Sequence, residues 1–203
     1  DGAEPSVDDL EHVLAEEVEH DEAFPVLCGS AVTRVAVDRL LDFVVEVGPS
    51  PSHGPARIAT AGDVEVDVRP DPSATPLAVV FKTVADPFVG QMSFLKVLSG
   101  TVRTDDRLVD SRTGTEHRLH ALARPFGAQQ RPVDELQAGD LGVVAKLTGV
   151  RTGDTLSAKG RPVHVRTSPP PAAVYEIAIA ARTRTDDDKL AGALHRLCEE
   201  DPA

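Results

Sequence analysis

The chain has 203 residues, of which 41% are hydrophobic and 3% aromatic, and a formal net charge of −12. This length predicts one or two domains, and the hydrophobic fraction supports a core built from Val, Leu, Ile and Ala. No apolar run is long enough to span a membrane, and the acidic start lacks a signal-peptide pattern, so we expect a cytoplasmic protein without membrane contact.

The acidic charge is concentrated in the first part of the chain. Residues 1–76 hold 17 of the 33 acidic residues but 4 of the 21 Lys and Arg residues. The negative total argues against nucleic-acid binding by the chain as a whole. Residues 77–160, with 11 basic and 9 acidic residues, are the part where such binding remains possible.

Residues 1–51 have the pattern of the end of an α/β domain. Ser6, with an acidic residue three positions later, predicts a capped helix start. The apolar run 23–29 predicts a short buried strand. Apolar residues at helical spacing from Val37 to Val47 predict a second helix, which Gly48 and the following prolines end.

The next part of the chain changes from a linker composition to a strand pattern. Residues 52–75 are rich in Pro, Ser, Gly and Asp, which predicts a linker. Residues 76–162 contain short runs of period-two alternation separated by glycine turns, which predict a small closed β-barrel. The side chains expected in its core are those of Phe81, Val97, Leu108, Val143 and Leu147.

Residues 163–203 predict a proline-rich linker, a strand from Val174 to Ala181 and a helix opened by Thr185 and Asp188. The apolar face of that helix is formed by Leu190, Leu194, Leu197 and Cys198. One strand and one helix cannot bury both of their faces, so we expect this tail to be mobile, to pack elsewhere on the chain or to pack on a neighbouring molecule. We favour self-association through residues 173–203. The predicted fold class is therefore mainly β, a small barrel flanked by α/β remnants.

Four blocks of sequence, in order, resemble bacterial elongation factor G, a family of translational GTPases. Residues 24–51 resemble the guanine loop and last helix of its G domain. Residues 81–102, with Asp86-Pro87-Phe88-Val89-Gly90 as the most specific part, resemble the start of its second domain. Residues 136–157 resemble the last strands of that domain, and 175–202 resemble the start of the third domain.

The resemblance implies a partner, the ribosome, and a contact between the barrel and small-subunit rRNA. Basic side chains on such a barrel neutralise phosphates, although a solvated charge at a strand edge is the more common role for each of them. The candidate contacts are Arg103, Arg112, Arg118, Arg124 and Arg131.

The nucleotide-binding motifs of that family are absent from the sequence. A phosphate loop with a Gly-Lys pair, D-x-x-G and N-K-x-D do not occur, and phosphate contacts supply most nucleotide affinity. Only Ser30 and Ala31 remain, in the turn that touches the guanine ring in the family. We therefore expect no GTP hydrolysis and no cofactor here, with GTP and Mg²⁺ belonging to a longer parent protein of which this chain is a fragment.

The sequence leaves three alternatives to a translocation-type factor. Residues 124–136 replace a His-Ala-Asn-Lys-like stretch of elongation factor G, and in this they are closer to elongation-factor-G-like paralogues. Ribosomal protection proteins are a further relative, but they usually lack the block at 86–90. A generic interaction barrel in a protein outside translation is the third alternative.

Other candidate chemistry is weak. His117 and His120 are an odd number of residues apart on a predicted strand and should face opposite sides, so we expect no metal site. Asp186-Asp187-Asp188 is typical of a helix N-terminus, and Asp140 and Asp154 are typical of turn caps. The two cysteines, Cys28 and Cys198, are predicted to be buried and unpaired.

Overall fold

The computed structural model describes residues 5–86, 89–168 and 171–201. Pro87 and Phe88 of the Asp86–Gly90 motif lie outside the described residues. The chain divides into two compact units, Asp1–Pro55 and Ala56–Ala203. In the described ranges, no helix is long and apolar enough to cross a membrane.

The described residues of the two units form α-helices and short β-strands. The helices are α1 (Val7–Glu19), α2 (Val37–Glu46) and α3 (Arg184–Glu200). The strands are β1 (Arg57–Ala61), β2 (Val64–Val68), β3 (Leu77–Asp86), β4 (Gly90–Ser99), β5 (Thr101–Arg103), β6 (Arg107–Asp110), β7 (Glu116–Arg118), β8 (Leu122–Phe126), β9 (Gln129–Val133), β10 (Glu135–Gln137), β11 (Leu141–Ala145), β12 (Thr155–Ala158) and β13 (His164–Val165).

The helix starts and stops of the first unit follow local sequence signals. The Asp9 amide donates to Ser6 Oγ at 3.2 Å, and the Ser6 amide donates to Asp9 Oδ2 at 3.1 Å. The predicted capping box is therefore confirmed, and the Ser6 hydroxyl lowers the pKa of Asp9. Helix α2 ends one residue before Val47, which Gly48 follows.

The predicted buried strand at 23–29 is wrong. The described part of this unit contains no strand there, and the side chains of Phe24 and Val26 are 78% and 90% exposed. An extended segment becomes a strand only by pairing with another, and the β-bridge near this segment joins Ser30 to Val35. Cys28 is also exposed, as is Cys198, so the expectation that both thiols are buried is wrong as well.

The second unit contains an antiparallel sheet of eight strands in the order β7-β6-β12-β3-β4-β11-β8-β9. Its inner face surrounds one apolar core, which includes Val97, Leu108 and Leu147, each no more than 2% exposed. Val143 is also buried. Four of the five predicted core residues are therefore confirmed. The sheet curves around this core, but the described pairings do not join its end strands β7 and β9.

The fifth predicted core residue, Phe81, is 45% exposed, so that prediction is wrong. The pairing of β3 with β4 shifts register between Val80 and Lys82. A β-bulge adds one residue to a strand and breaks its alternation of faces. Phe81 thus leaves the core and lies edge-on to Phe94, with ring centroids 6.3 Å apart.

The interpretation of 52–75 as a linker is corrected by strands β1 and β2. These strands form a hairpin, and β13 pairs with the other side of β1, giving a three-stranded sheet. The inner face of this sheet contributes Ala59 and Val165 to a second apolar cluster with Leu77 and Leu98 of the main sheet. Strand β3 is consequently buried on both faces over Leu77–Val80.

The tail differs from its prediction in two respects. The described residues 171–181 contain no strand, because no described segment pairs with them, and Val174 is 98% exposed. Helix α3 begins at Arg184, capped by Thr183 rather than opened at Thr185. Its last turn contacts the end of β3, where the Ala85 amide donates to Glu200 Oε1 at 2.6 Å.

Candidate nucleic-acid interface

Four of the five candidate arginines lie on or beside strands of the main sheet, and Arg103 lies on β5, which pairs with β10. Their guanidinium groups have different partners. Arg112 is internal. It donates from Nε to Asp154 Oδ1 at 2.7 Å, and from one terminal nitrogen to Asp154 Oδ2 at 2.8 Å and to the Gly149 carbonyl at 2.9 Å. The side chain of Asp110, 3.6 Å from the same nitrogen, is fully buried. Hydrogen bonding to Asp154 raises the pKa of Arg112. This side chain joins the β6–β7 loop to the β11–β12 loop, and its hydrogen-bond donors are engaged within the fold.

Three other candidates have exposed carboxylate partners. Arg103 is 3.1 Å from Glu135, Arg118 is 3.0 Å from Asp105, and Arg124 is 2.6 Å from Asp140. Exposed ion pairs of this kind contribute little to stability and exchange readily with solvent. Such arginines can still contact a phosphate, but they must first give up a carboxylate.

Arg131 has no carboxylate partner among the described residues. Its guanidinium carbon lies 3.7 Å from the centroid of the Phe126 ring, which is within cation–π distance. The Phe126 side chain is 58% exposed. The stacked guanidinium keeps its N–H donors available, because the ring face occupies none of them.

Strands β8 and β9, which we call the Arg-Phe hairpin, present this pair at an edge of the main sheet. β9 is the terminal strand, and Arg124 is the direct cross-strand partner of Arg131. The hairpin therefore brings two guanidinium groups and an exposed aromatic ring together around the turn at Gly127. Arginine and aromatic side chains together are typical of surfaces that bind phosphates and unpaired bases.

Phe126 was not among the predicted site residues. The signal available in the sequence was the symmetric spacing of Arg124 and Arg131 about the Gly127-Ala128 pair, which predicts a hairpin with the two side chains on one face. The ring of Phe126, two residues after Arg124 on the same strand, lies on the same face of the hairpin and within reach of both guanidinium groups.

The predicted guanine-loop residues form a local turn in the first unit. The Ser30 amide donates to the Val35 carbonyl at 3.0 Å, and Ser30 Oγ accepts from the Thr33 amide at 3.3 Å. Ala31 is exposed. This hydrogen bonding shapes the turn but supplies no group that could hold a phosphate.

The acidic candidates have structural partners, and the two histidines lie on different segments. Asp140 and Asp154 each accept a backbone N–H three residues before them, from Gln137 at 2.9 Å and from Arg151 at 2.7 Å, which confirms the turn-capping prediction. His117 lies on β7, whereas His120 lies beyond it. In the part of the chain that the structure describes, no three His, Cys, Asp or Glu side chains are placed to hold a metal.

Comparison with known proteins defines the class to which this arrangement belongs. The family model for elongation factor G domain 2 matches residues 76–159, the region of the main sheet. A crystal structure of a Thermus thermophilus protein is 30% identical, with a TM-score of 0.78, over 99% of this chain and 28% of that one. The main sheet is thus a second domain of the translation-factor type.

Residues 76–159 thus form a second domain of the elongation factor G family, and the chain as a whole resembles that family of translational GTPases. It spans about a quarter of the length of the solved relative that it matches.

Proposed function

We propose that this chain is part of a translational GTPase that acts on the ribosome during elongation, and that its second domain supplies a contact to small-subunit rRNA. The observation that carries the proposal is the Arg-Phe hairpin on a second domain of the elongation factor G type. Arg131 has free donors over an exposed ring, and Arg124 lies directly opposite.

Binding of the chain to purified small ribosomal subunits at several salt concentrations tests the proposal. Arg131→Ala should weaken binding and reduce the slope of log affinity against log salt by about one contact. Arg57→Ala is the matched control, since Arg57 is exposed on β1, outside the main sheet. Equal effects of the two substitutions, or binding that does not depend on salt, would favour a generic interaction barrel.

We also propose that this chain does not bind or hydrolyse GTP. The turn at Ser30 and Ala31 offers no phosphate ligand, and phosphate contacts supply most of the affinity for a nucleotide. Titration with a fluorescent guanine nucleotide should show no saturation. Binding at micromolar or tighter affinity would contradict the proposal.

The hairpin sequence favours an elongation-factor-G-like paralogue as the parent protein. The stretch from Arg124 to Leu136, which contains this hairpin, differs from the His-Ala-Asn-Lys-like stretch that the family resemblance leads one to expect. A translocation assay with the full-length parent distinguishes the two, because a paralogue with another role would bind ribosomes without moving them. We place the parent in the cytoplasm, where such factors act.

We propose that the main sheet closes into a barrel through the short ladder of β5 and β10. Val102 of β5 and Leu136 of β10 are fully buried in the same core as the eight-stranded sheet. Amide exchange should therefore protect Val102 and Leu136 as strongly as residues of β3 and β4. Fast exchange at both positions would show an open sheet.

Self-association through residues 173–203 remains part of the proposal. Tyr175, Ile177 and Ile179 are more than half exposed in a segment without strand partners among the described residues. Exposed apolar side chains in a row favour association. Light scattering should report a mass above that of a monomer, and Ile177→Asp should reduce it; a monomer at all concentrations would contradict this.

A further inference from the structure

Strand β2 borders a groove that the proposed ribosomal role does not use. β2 is the last strand of the three-stranded sheet, and no described strand pairs with its outer edge. Beside that edge lies a cavity of about 740 Å³ between the small sheet and the main sheet. We call this cavity the β2 groove.

The inner surface of the β2 groove is largely apolar. Val66 and Val68 of β2 and Val163 line it, and Leu77 of β3 lies at its base. Val66, Val68 and Val163 are only partly buried against the second apolar cluster. The two sheets therefore leave apolar surface uncovered at the side where β2 ends the small sheet.

The outer face of β2 has the opposite character. Glu65 and Asp67 alternate with the valines and are exposed, and neither has an ion-pair partner in the described part of the chain. Arg69 follows β2, and together with Asp67 and Arg161 it borders the β2 groove. The outer edge of β2 therefore combines unpaired backbone groups, an adjacent apolar groove and charged side chains in the order acidic, acidic, basic.

We propose that the edge of β2 binds an extended protein segment as an additional antiparallel strand. Backbone groups of the segment pair with β2, and alternate apolar side chains enter the β2 groove. Basic side chains of the segment lie opposite Glu65 and Asp67, and an acidic one lies opposite Arg69.

A second copy of this chain is disfavoured in the two registers centred in the middle of β2. Antiparallel pairing of two β2 strands centred on Val66 sets Glu65 against Asp67, and pairing centred on Asp67 sets that residue against its own copy. Like charges directly opposite each other destabilise a strand pair. Acidic side chains on an exposed edge oppose self-pairing and select a basic partner.

A synthetic peptide tests the proposal directly. The probe is acetylated, amidated and fluorescein-labelled Glu-Val-Lys-Val-Lys-Val-Lys, and its matched control is Lys-Val-Glu-Val-Glu-Val-Glu. Fluorescence anisotropy with the 203-residue chain should show saturable binding of the probe and at least roughly tenfold weaker binding of the control. Amide NMR shifts should change at residues 64–68.

A charge exchange provides the second measurement. In the double variant Glu65→Lys/Asp67→Lys the preference should reverse, so that the control peptide binds more tightly than the probe. Glu65→Gln/Asp67→Asn, which keeps the shape of both side chains, should bind the two peptides about equally and shows whether loss of fold explains the result. Absence of binding up to about 1 mM peptide, or a preference that does not reverse, overturns the proposal.

Discussion

At the scale of single residues, Arg112 determines how the loops around β6 and β12 are held. Its guanidinium joins Asp154 in a two-point contact and reaches the Gly149 carbonyl. A planar guanidinium matches a carboxylate in this way, whereas a lysine ammonium cannot. The residue types at 112 and 154 are therefore set by geometry as well as by charge.

Arg112→Ala should lower the free energy of unfolding by about 2–3 kcal/mol, because Asp110 and Asp154 stay buried without a cation. We place the effect below that of a fully buried pair, since the Arg112 side chain is 40% exposed. Urea denaturation gives the value. The control is Arg107→Ala at the exposed pair with Glu116, 2.7 Å apart, which should cost less than about 1 kcal/mol. Equal losses would show that Arg112 is an ordinary surface charge.

Gly100 is the residue whose backbone leaves no room for a side chain. Its φ is +70°, and a Cβ there would lie 2.5–2.6 Å from backbone atoms of Ala74 and Pro76. Gly114 has a similar φ of +72° but nothing within 4 Å of the same position. Comparing alanine substitutions at Gly100 and Gly114 therefore separates the free-energy cost of backbone strain from that of a steric clash.

Gly100→Ala should destabilise the chain by about 2–5 kcal/mol, the sum of a left-handed backbone and overpacking. Gly114→Ala should cost about 1–2 kcal/mol, since only the backbone term applies. Thermal or urea unfolding of both variants compares them. If Gly114→Ala is as destabilising as Gly100→Ala, the close approach of Ala74 and Pro76 has no energetic effect.

At the scale of elements, the β1–β2 hairpin covers the outer face of the main sheet. Leu98 of β4 faces this hairpin and is 6% exposed, whereas Ile58 of β1 faces away and is 57% exposed. Without the hairpin, the outer side chains of β3 and β4 would lie in water. The segment therefore contributes a second core to the unit.

Leu98→Ala should cost about 2–4 kcal/mol because it removes a buried side chain from the second cluster. Ile58→Ala, the control on the solvent face of the same hairpin, should cost less than about 1 kcal/mol. Urea denaturation of the two variants measures both effects. A loss below about 1 kcal/mol for Leu98→Ala would show that packing of the β1–β2 hairpin on the main sheet does not stabilise the unit.

At the scale of the whole molecule, the two compact units meet in sequence at Pro55 and Ala56. The ladder between Ala59 and Val165 ties the first strand of the second unit to its last. Residues 57–165 therefore belong to one paired structure, while 171–181 have no pairing among the described residues.

Limited digestion with a nonspecific protease should first cut near residues 54–56 and within 166–183. The fragment that persists should contain about residues 57–165, because backbone in a paired strand resists cleavage. Mass spectrometry identifies its ends. Early cleavage between Arg69 and Pro76 that releases the β1–β2 hairpin would contradict the expected unit.

What the sequence by itself determined is local. The Ser6 capping box, the apolar stripe of α2 and the partial alternation within β4 are patterns among residues close in the chain. These signals were sufficient for the mainly β class and for four of five predicted core residues. They were also sufficient for the family, because whole blocks of sequence carry that resemblance.

Tertiary structure decided everything that depends on a distant partner. Residues 57–68 pair locally as a hairpin, but the other side of β1 is paired by β13, about a hundred positions later. Residues 174–181, with a stronger strand pattern, have no described partner. The bulge beside Phe81 and the partners of Arg112 and Arg131 have the same origin. Strand pairing, burial and ion pairing are non-local interactions, so the residue that completes each one cannot be read from its neighbours in the chain.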